Sequence, residues 1–487
     1  MKKIIYILLS ITYSFSYTQA QERKPKNDTN KDKQFVINAI DKKYNNYCQI
    51  ARKIWGFAEL GYLEDKSTSL LQESLKNEGF SIEVGVAGLP TAFVATYGSG
   101  KPVIGILAEF DALPGLSQDS VPIQKPLVSG GSGHGCGHNL FGSGSVGAAI
   151  ALKEWLLQSK KSGTIKLMGT PAEEGGGGGK VYMVRAGLFE GVDAVLHWHP
   201  ASDNNASPES CLAYITGNFR FYGISTHAAM APEKGRSALD GVEAMNYMVN
   251  LMREHVPQEA RIHYVITKGG LASNVVPDFA EVEYTVRHPD VRATMEIWER
   301  VIKAAEGASL GTGTTMKYEV NAGLYNLLPN ETLAKIMYAN LEKIGGVNYT
   351  PQEIAFAEEM QKSFKGNVPP INSAQKILPY KIGYFPASTD VGDVSWVVPT
   401  AGLGTATWVA GTPAHSWQAV AANGMSIGFK GMINAAKIIA MTGIDIFNNP
   451  AVIAAAKTEM EKARGTDFRY KSMVGDRNPP LDYRKTK

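Results

Sequence analysis

Val103-Ile104-Gly105-Ile106-Leu107-Ala108 is an almost unbroken apolar run, and Asp111-Ala112-Leu113-Pro114-Gly115 follows it closely. A strand with one wet face alternates apolar and polar residues. An uninterrupted run of this length therefore predicts a strand buried on both faces, as in the parallel or mixed sheet of an α/β domain. Loops beyond the carboxyl ends of such strands are where open α/β sheets collect their chemistry. The pattern recurs twice: Thr164 to Met168 leads to Glu173-Glu174, and Val192 to Leu196 leads to His197-Trp198-His199-Pro200. Three candidate functional loops follow three predicted strands.

Working outward, Thr91 to Tyr97 predicts a neighbouring strand. Phe35, Ile40, Tyr44, Ile50 and Ile54 recur at helical intervals, and Ser67 to Leu75, Ser143 to Leu157 and Val181 to Ala186 predict further helices. From Ala213 the texture changes to period-two strands: Phe219 to Tyr222, Arg261 to Ile266, Glu281 to Arg287 and Thr314 to Val320. Helices over 238–255 and 291–307 separate them, so the order is β-α-β-β-α-β and the unit is expected to be an inserted second domain. The chain is expected to return with a helix from Glu331 to Leu341, a looser region through Lys381, Gly-rich strands around Val397 and Thr405 to Val409, and a long helix starting near Trp417. A charged, Pro-containing tail from Arg464 is expected to be peripheral. The expected division is thus 33–212 and 326–487 for one domain and 213–325 for the other.

With 487 residues, 44% of them hydrophobic, the chain can bury a large core. Formal charge is +3, of which Lys2 and Lys3 supply two, so no nucleic-acid footprint is expected. Residues 1–20 read as a signal peptide, with basic Lys2-Lys3, an apolar run from Ile4, and Thr18-Gln19-Ala20 before the cleavage point. Residues 21–32 read as a polar linker. The expectation is an exported protein, periplasmic or extracellular, with no stable membrane insertion after processing. Cys48, Cys136 and Cys211 are too few and too scattered for a disulfide framework.

Chemistry concentrates in His134-Gly135-Cys136-Gly137-His138-Asn139. A thiolate and an imidazole both suit a borderline ion, and the flanking glycines let a tight loop aim both at one point. Glu173-Glu174 opens the run Gly175 to Gly179, where packing is not the purpose of the charges. One carboxylate can ligate metal while the other accepts a proton from water. The glycine run has no Gly-Lys-Ser/Thr ending, which excludes a phosphate-cradling loop. His197 and His199 share one side of an extended segment and either could ligate; His415 lies on a further Gly/Pro-punctuated loop. Together these loops supply enough donors for a binuclear site with a position open for water.

Asp111-Ala112-Leu113-Pro114, Gly135-Cys136-Gly137-His138-Asn139, Pro171-Ala172-Glu173-Glu174-Gly175-Gly176, His199-Pro200, Thr226-His227-Ala228-Ala229, Ser273-Asn274-Val275-Val276-Pro277-Asp278 and Ala414-His415-Ser416 resemble, in order, the motifs of the M20 metallopeptidases and amidohydrolases. Asn139 after Cys-Gly-His, and Trp-His-Pro in the third loop, resemble the aminobenzoyl-glutamate hydrolase branch. The resemblance implies a mixed-sheet α/β/α metallo-aminopeptidase-like catalytic domain with an inserted ferredoxin-like α+β lid and dimerisation domain. It implies two divalent ions, Zn or Mn, held by Cys136, His138, Glu174, His199 and His415, with Glu173 as general base toward metal-activated water. Asp111, His134 and His197 are then supporting residues or alternative ligands. The lid would contribute His227 as oxyanion donor, in the active site of the partner protomer, and Asn274 as a substrate-positioning residue. Arg287, at the end of an alternating strand, is either a clamp for a substrate carboxylate or a surface ion pair. The implied activity is hydrolysis of an aminobenzoyl-glutamate-like or N-acyl amino-acid amide by a homodimer or by two related subunits. A dipeptidase or aminoacylase using the same centre, and a ligand-binding protein without turnover, are the competing expectations.

Overall fold

The computed structural model describes residues 29–485, so the expected signal peptide and residues 21–28 of the expected linker lie outside the described residues. A helix already begins at Thr29, so the last four residues of the expected linker, 29–32, are helical, and it buries Val36 and Ile40.

The larger sheet has six strands in the spatial order Ser81–Val84, Phe93–Ser99, Gly163–Gly169, Val103–Ala108, Ala194–Ala201 and Thr400–Ala406. The last four run parallel and the first two join through antiparallel pairings, which makes the sheet mixed. Val103–Ala108 lies between two parallel neighbours with five of its six residues buried, which explains its continuous apolar character. Its register sets Ala108 beside Gly169, so the loops carrying Asp111 and Glu173-Glu174 leave the sheet at the same level. Helices cover this sheet in an α/β/α arrangement. The buried helix His138–Ser159 packs against Ser426–Asn448 and against the central strands. Its small residues permit the close approach: a Cβ on Gly144 would sit 2.9 Å from the Trp198 ring.

The smaller sheet is antiparallel throughout, ordered Thr315–Leu324, Ala213–Tyr222, Phe279–His288 and Arg261–Lys268. The helices Ala238–Met252 and Val291–Thr312 pack on it and complete a separate apolar core that includes Phe219, Phe221, Met245, Val282, Trp298 and Val301.

Several local expectations change. The helix expected from Ser143 begins at His138, because the left-handed Gly137 (φ 82°) turns the loop directly into the first helical residue. His197-Trp198-His199-Pro200 is strand, not loop: it pairs in register with Gly402 to Thr405, which supply the backbone partners. The region expected to be loose contains the helix Pro351–Gln361, started by a capping box between Thr350 and Glu353. The strand expected around Val397 is replaced by the short helix Val391–Ser395, and the paired strand is Thr400–Ala406. The long final helix is three helices, Trp417–Asn423, Ser426–Asn448 and Ala451–Arg464. The tail after Arg464 is not peripheral. Met473 and Val474 are buried, and Tyr483 and Arg484 donate to the Glu174 carbonyl.

Candidate metal centre and active site

The site forms at the carboxyl ends of the neighbouring parallel strands Gly163–Gly169, Val103–Ala108 and Ala194–Ala201. Two non-glycine residues there, Ala172 and His415, hold left-handed φ values of 56° and 57°. Such conformations cost roughly 1–3 kcal/mol each and persist only where surrounding contacts over-determine them. The His415 amide donates to the Gly135 carbonyl at 3.0 Å, which ties the His415 loop to the Cys136 loop.

The donor atoms converge in three groups: two share the Cys136 thiol, and a third joins Glu109, His138 and Glu173. Cys136, His138 and His199 place ligand atoms within 4.8 Å of one another, and so do Cys136, Glu174 and His415. Cys136 Sγ lies 3.4 Å from His199 Nε2, and His415 Nε2 lies 3.4 Å from Glu174 Oε1. The tautomers follow from the partners. The Pro200 carbonyl, 2.8 Å from His199 Nδ1, can only accept, so Nδ1 carries the hydrogen and Nε2 turns its lone pair to the site. On His138, Asp111 Oδ1 accepts from Nδ1 at 2.9 Å, which leaves Nε2 as the nitrogen that would ligate, while Asp111 Oδ2 accepts from the Glu174 amide at 2.9 Å. Burial would lower this imidazole, but Glu109, Cys136 and Asp111 outweigh it and hold the pKa well above its ordinary value.

Behind the donors runs a buried charge chain that motif reading missed. Glu109 faces His138 Nε2 at 3.0 Å and accepts from Lys180 at 2.7 Å; Lys180 also pairs with Asp390 at 2.5 Å. Burial alone would raise the Glu109 carboxyl, yet Lys180, His138 and His199 pull it down to about 2. Burial, reinforced by Glu109, Glu174 and Asp390, pushes Glu173 well above the usual carboxylate range. For Glu174, burial is outweighed by His415 and His138, which hold it below that range. The two adjacent carboxyls are thus driven apart, one toward holding a proton and one toward staying ionised. The signal that could have found Glu109 was its place one residue beyond the buried strand. Lys180 and Asp390 carry no motif and meet only in the fold.

The donor set fits divalent ions. Buried His138 Nε2 and Glu174 Oε1 meet only other site atoms, Glu109 Oε2 and His415 Nε2, and form no well-aligned hydrogen bond; a thiol, three imidazoles and a carboxylate match zinc or manganese preferences. This is a candidate binuclear centre, with Cys136 common to both halves.

His197 and Arg287 also line the cavity of about 1390 Å³ that opens over these groups. His197 belongs to none of the three donor groups. Its ring occupies the space above Gly402, where a Cβ would sit 2.2 Å from Nε2, and burial drives its pKa down to about 4. His134 faces away: its Nε2 donates to the Ile54 carbonyl at 3.0 Å, and burial followed by the His138 charge lowers it to about 3. Arg287 stacks 4.7 Å from the Tyr214 ring centroid and donates to Ser388 Oγ at 3.1 Å. It has no ion pair among the described residues. His227 and Asn274 are not brought to the cavity. They lie exposed in the smaller unit, where the Asn274 carbonyl accepts from the Ala228 amide at 3.0 Å, and His227 Nδ1 accepts from the Ala229 and Met230 amides at 3.2 Å, leaving Nε2 outward.

Comparison with known proteins places these features. Residues 105–369 match the model of peptidase family M20/M25/M40. The chain is 39% identical to one of the p-aminobenzoyl-glutamate hydrolase subunits of Escherichia coli, an alignment covering 89% of this chain and 95% of the relative. It is 29% identical to Xaa-Arg dipeptidase of Mus musculus over 87% and 90% of the two chains. A dinuclear metal-binding peptidase of the M20 family from Bacillus subtilis shares the fold with a TM-score of 0.58 at 18% identity, over 84% of this chain and 99% of that one.

Proposed function

The chain belongs to peptidase family M20/M25/M40, and from that premise we propose that it is a metal-dependent amidohydrolase that cleaves an aminobenzoyl-glutamate-like amide. The observation that carries this reading is the pair of donor groups sharing Cys136 beside Glu173, at the floor of one large cavity. Cys136, His138 and His199 would hold one ion, and Cys136, Glu174 and His415 the other. When bound, the ions supply Lewis acidity that polarises a carbonyl and lowers the pKa of water.

The protein side chains perform the rest. Glu173, in its ionised form and lining the cavity beside the donor groups, takes the proton from the attacking water and returns it to the leaving amine. Asp111 holds the His138 tautomer and the Glu174 backbone together, which keeps both donor groups aimed during the reaction. Arg287, stacked and without an ion pair among the described residues, binds the carboxylate of the substrate. The smaller unit, with its strands in 4-1-3-2 order and two packed helices, supports a ferredoxin-like lid. Its edge strand Arg261–Lys268 is exposed along nearly its whole length and suits pairing with a second copy or a related subunit. In such a dimer, His227 with its outward Nε2 would donate to the developing oxyanion across the interface, and Asn274 beside it would orient the substrate.

Asp203, Glu209 and Glu283 line the same cavity and favour, as a second reading, a dipeptide with a basic end. A substrate panel tests both: aminobenzoyl-glutamate, N-acyl amino acids and free-amine dipeptides, each with and without chelator. Chelator-sensitive turnover of acylated acidic amino acids is expected, with Arg287→Met raising KM more than it lowers kcat. Turnover that survives complete metal removal overturns the reading. Lys2-Lys3 and Thr18-Gln19-Ala20 support export, and a mature protein that retains residues 1–20 in the cytoplasm would refute it.

A further inference from the structure

The five consecutive glycines after Glu174 have no role in the chemistry above, and such a run is the least self-ordering backbone a catalytic loop could carry. Gly175, Gly176 and Gly178 take left-handed φ values of 70°, 89° and 63°. Something outside the loop must hold it. The segment after the last helix does so. Tyr483 donates its hydroxyl hydrogen to the Glu174 carbonyl at 2.8 Å, and Arg484 donates to the same oxygen at 3.3 Å. The Tyr483 ring meets Tyr62 edge-on at 5.7 Å, and Tyr62 in turn donates to the Gly177 carbonyl at 2.7 Å.

The glycines are the counterpart of these contacts. A Cβ on Gly175 would sit 2.0 Å from the Arg484 guanidinium, and one on Gly177 would sit 3.0 Å from the Tyr483 hydroxyl. The loop is therefore stripped of side chains where the segment lies on it. The rest of the segment is anchored in both halves of the molecule. Tyr470 donates to Asp393 at 2.7 Å, Tyr325 donates to the Lys471 carbonyl at 2.9 Å, and Arg185 donates to the carbonyls of Gly475 and Arg477 at 2.7 and 2.8 Å. Arg477 donates to the Asn321 carbonyl in the smaller sheet, and Arg477, Pro480 and Tyr483 line the cavity.

We propose that the segment 467–485 is a strap over the active site and that Tyr483 and Arg484 are positioning residues, fixing the Glu173-Glu174 pair through the Glu174 carbonyl. Glu173 has to meet a water and a leaving amine, and Glu174 has to stay aimed at its donor partners. A loop free to wander through glycine conformations does neither well. The strap acts on the loop rather than on the substrate, so its loss reads chiefly in kcat. This inference deepens the amidohydrolase reading of the site and rests on it.

The test uses the full-length protein and the variants Tyr483→Phe, Arg484→Ala and Arg484→Lys. Hydrogen exchange of the amides at 174–180 is measured on metal-free protein, alongside thermal midpoints and kcat and KM on the substrate identified by the panel. Tyr483→Phe keeps the ring packing and removes only the donor. It is expected to speed exchange at 174–180 by about two- to tenfold, the equilibrium weight of one hydrogen bond, with the rest of the chain unchanged. kcat should fall by a similar or larger factor with KM within about twofold, again on the weight of one hydrogen bond. Arg484→Lys should recover part of what Arg484→Ala loses. Wild-type exchange at 174–180 in the Tyr483→Phe protein overturns the proposal, as does an unchanged kcat or a rise in exchange spread evenly over the chain. If the wild-type protein hydrolyses nothing, the amidohydrolase reading fails, and the exchange experiment still decides whether the strap orders the loop.

Discussion

Asp111 and His138 are joined through Oδ1 and Nδ1 at 2.9 Å, both fully buried, and the other Asp111 oxygen holds the Glu174 amide. One carboxylate thereby sets the imidazole tautomer in one donor group and the backbone position in the other.

Asp111→Ala should therefore loosen both halves of the centre at once. Partners of this kind typically contribute 10–100-fold to metal affinity, so competition with a chromophoric chelator should show a loss of about that size. Unchanged affinity would mean that packing alone orients His138.

Glu173 lines the cavity outside the two donor groups that share Cys136, with its own carboxylate grouped with Glu109 and His138. Glu173→Gln is expected to keep its metal, read by elemental analysis, while turnover drops by about 10²–10⁴, the usual weight of a general base. Retained turnover would reassign the base.

Lys180 is fully buried between Glu109 and Asp390. Lys180→Met leaves Asp390 without its cation and Glu109 with only His138, and breaking a buried pair in this way costs about 3–5 kcal/mol. Urea denaturation should show a loss of that order, and adding Asp390→Asn should recover part of it. No recovery would show that the lost lysine packing, not the unpaired charge, dominates.

Asp393 accepts from the Tyr325 amide at 3.0 Å and the Tyr470 hydroxyl at 2.7 Å, but burial pushes its carboxyl up to about 7. The folded protein therefore holds a proton that the unfolded chain releases near pH 4, and this group's contribution to stability falls as pH rises from about 4 to about 7. Asp393→Asn removes that slope at a steady cost in hydrogen bonding. The gap in thermal midpoint between wild type and variant should narrow as pH rises across that window. A constant gap would place the carboxyl's titration outside it.

The apolar run Val103 to Ala108 and the alternating strands after Ala213 were legible because burial on both faces or on one writes directly into residue order. Helix starts were less so. The helix at His138 opens without a capping side chain, on a left-handed glycine, and its first turn carries site residues that read as loop. The paired histidines read as loop for a similar reason: their strand is ordered by partners far along the chain, at Gly402 to Thr405.

The chemistry was legible in residue order, because Cys136, His138, Glu173, Glu174 and His415 sit on short glycine-punctuated segments whose donors together suit a metal site. How they are used follows from the fold. It made Cys136 common to two donor groups, turned His199 toward it and His197 toward Gly402, set Glu109, Lys180 and Asp390 behind them, and laid Tyr483 and Arg484 over the glycine run. Local patterns report which face of an element is buried. Which distant side chain fills the remaining space, and which buried charge it must answer, is set by close packing between segments that the residue order does not bring together.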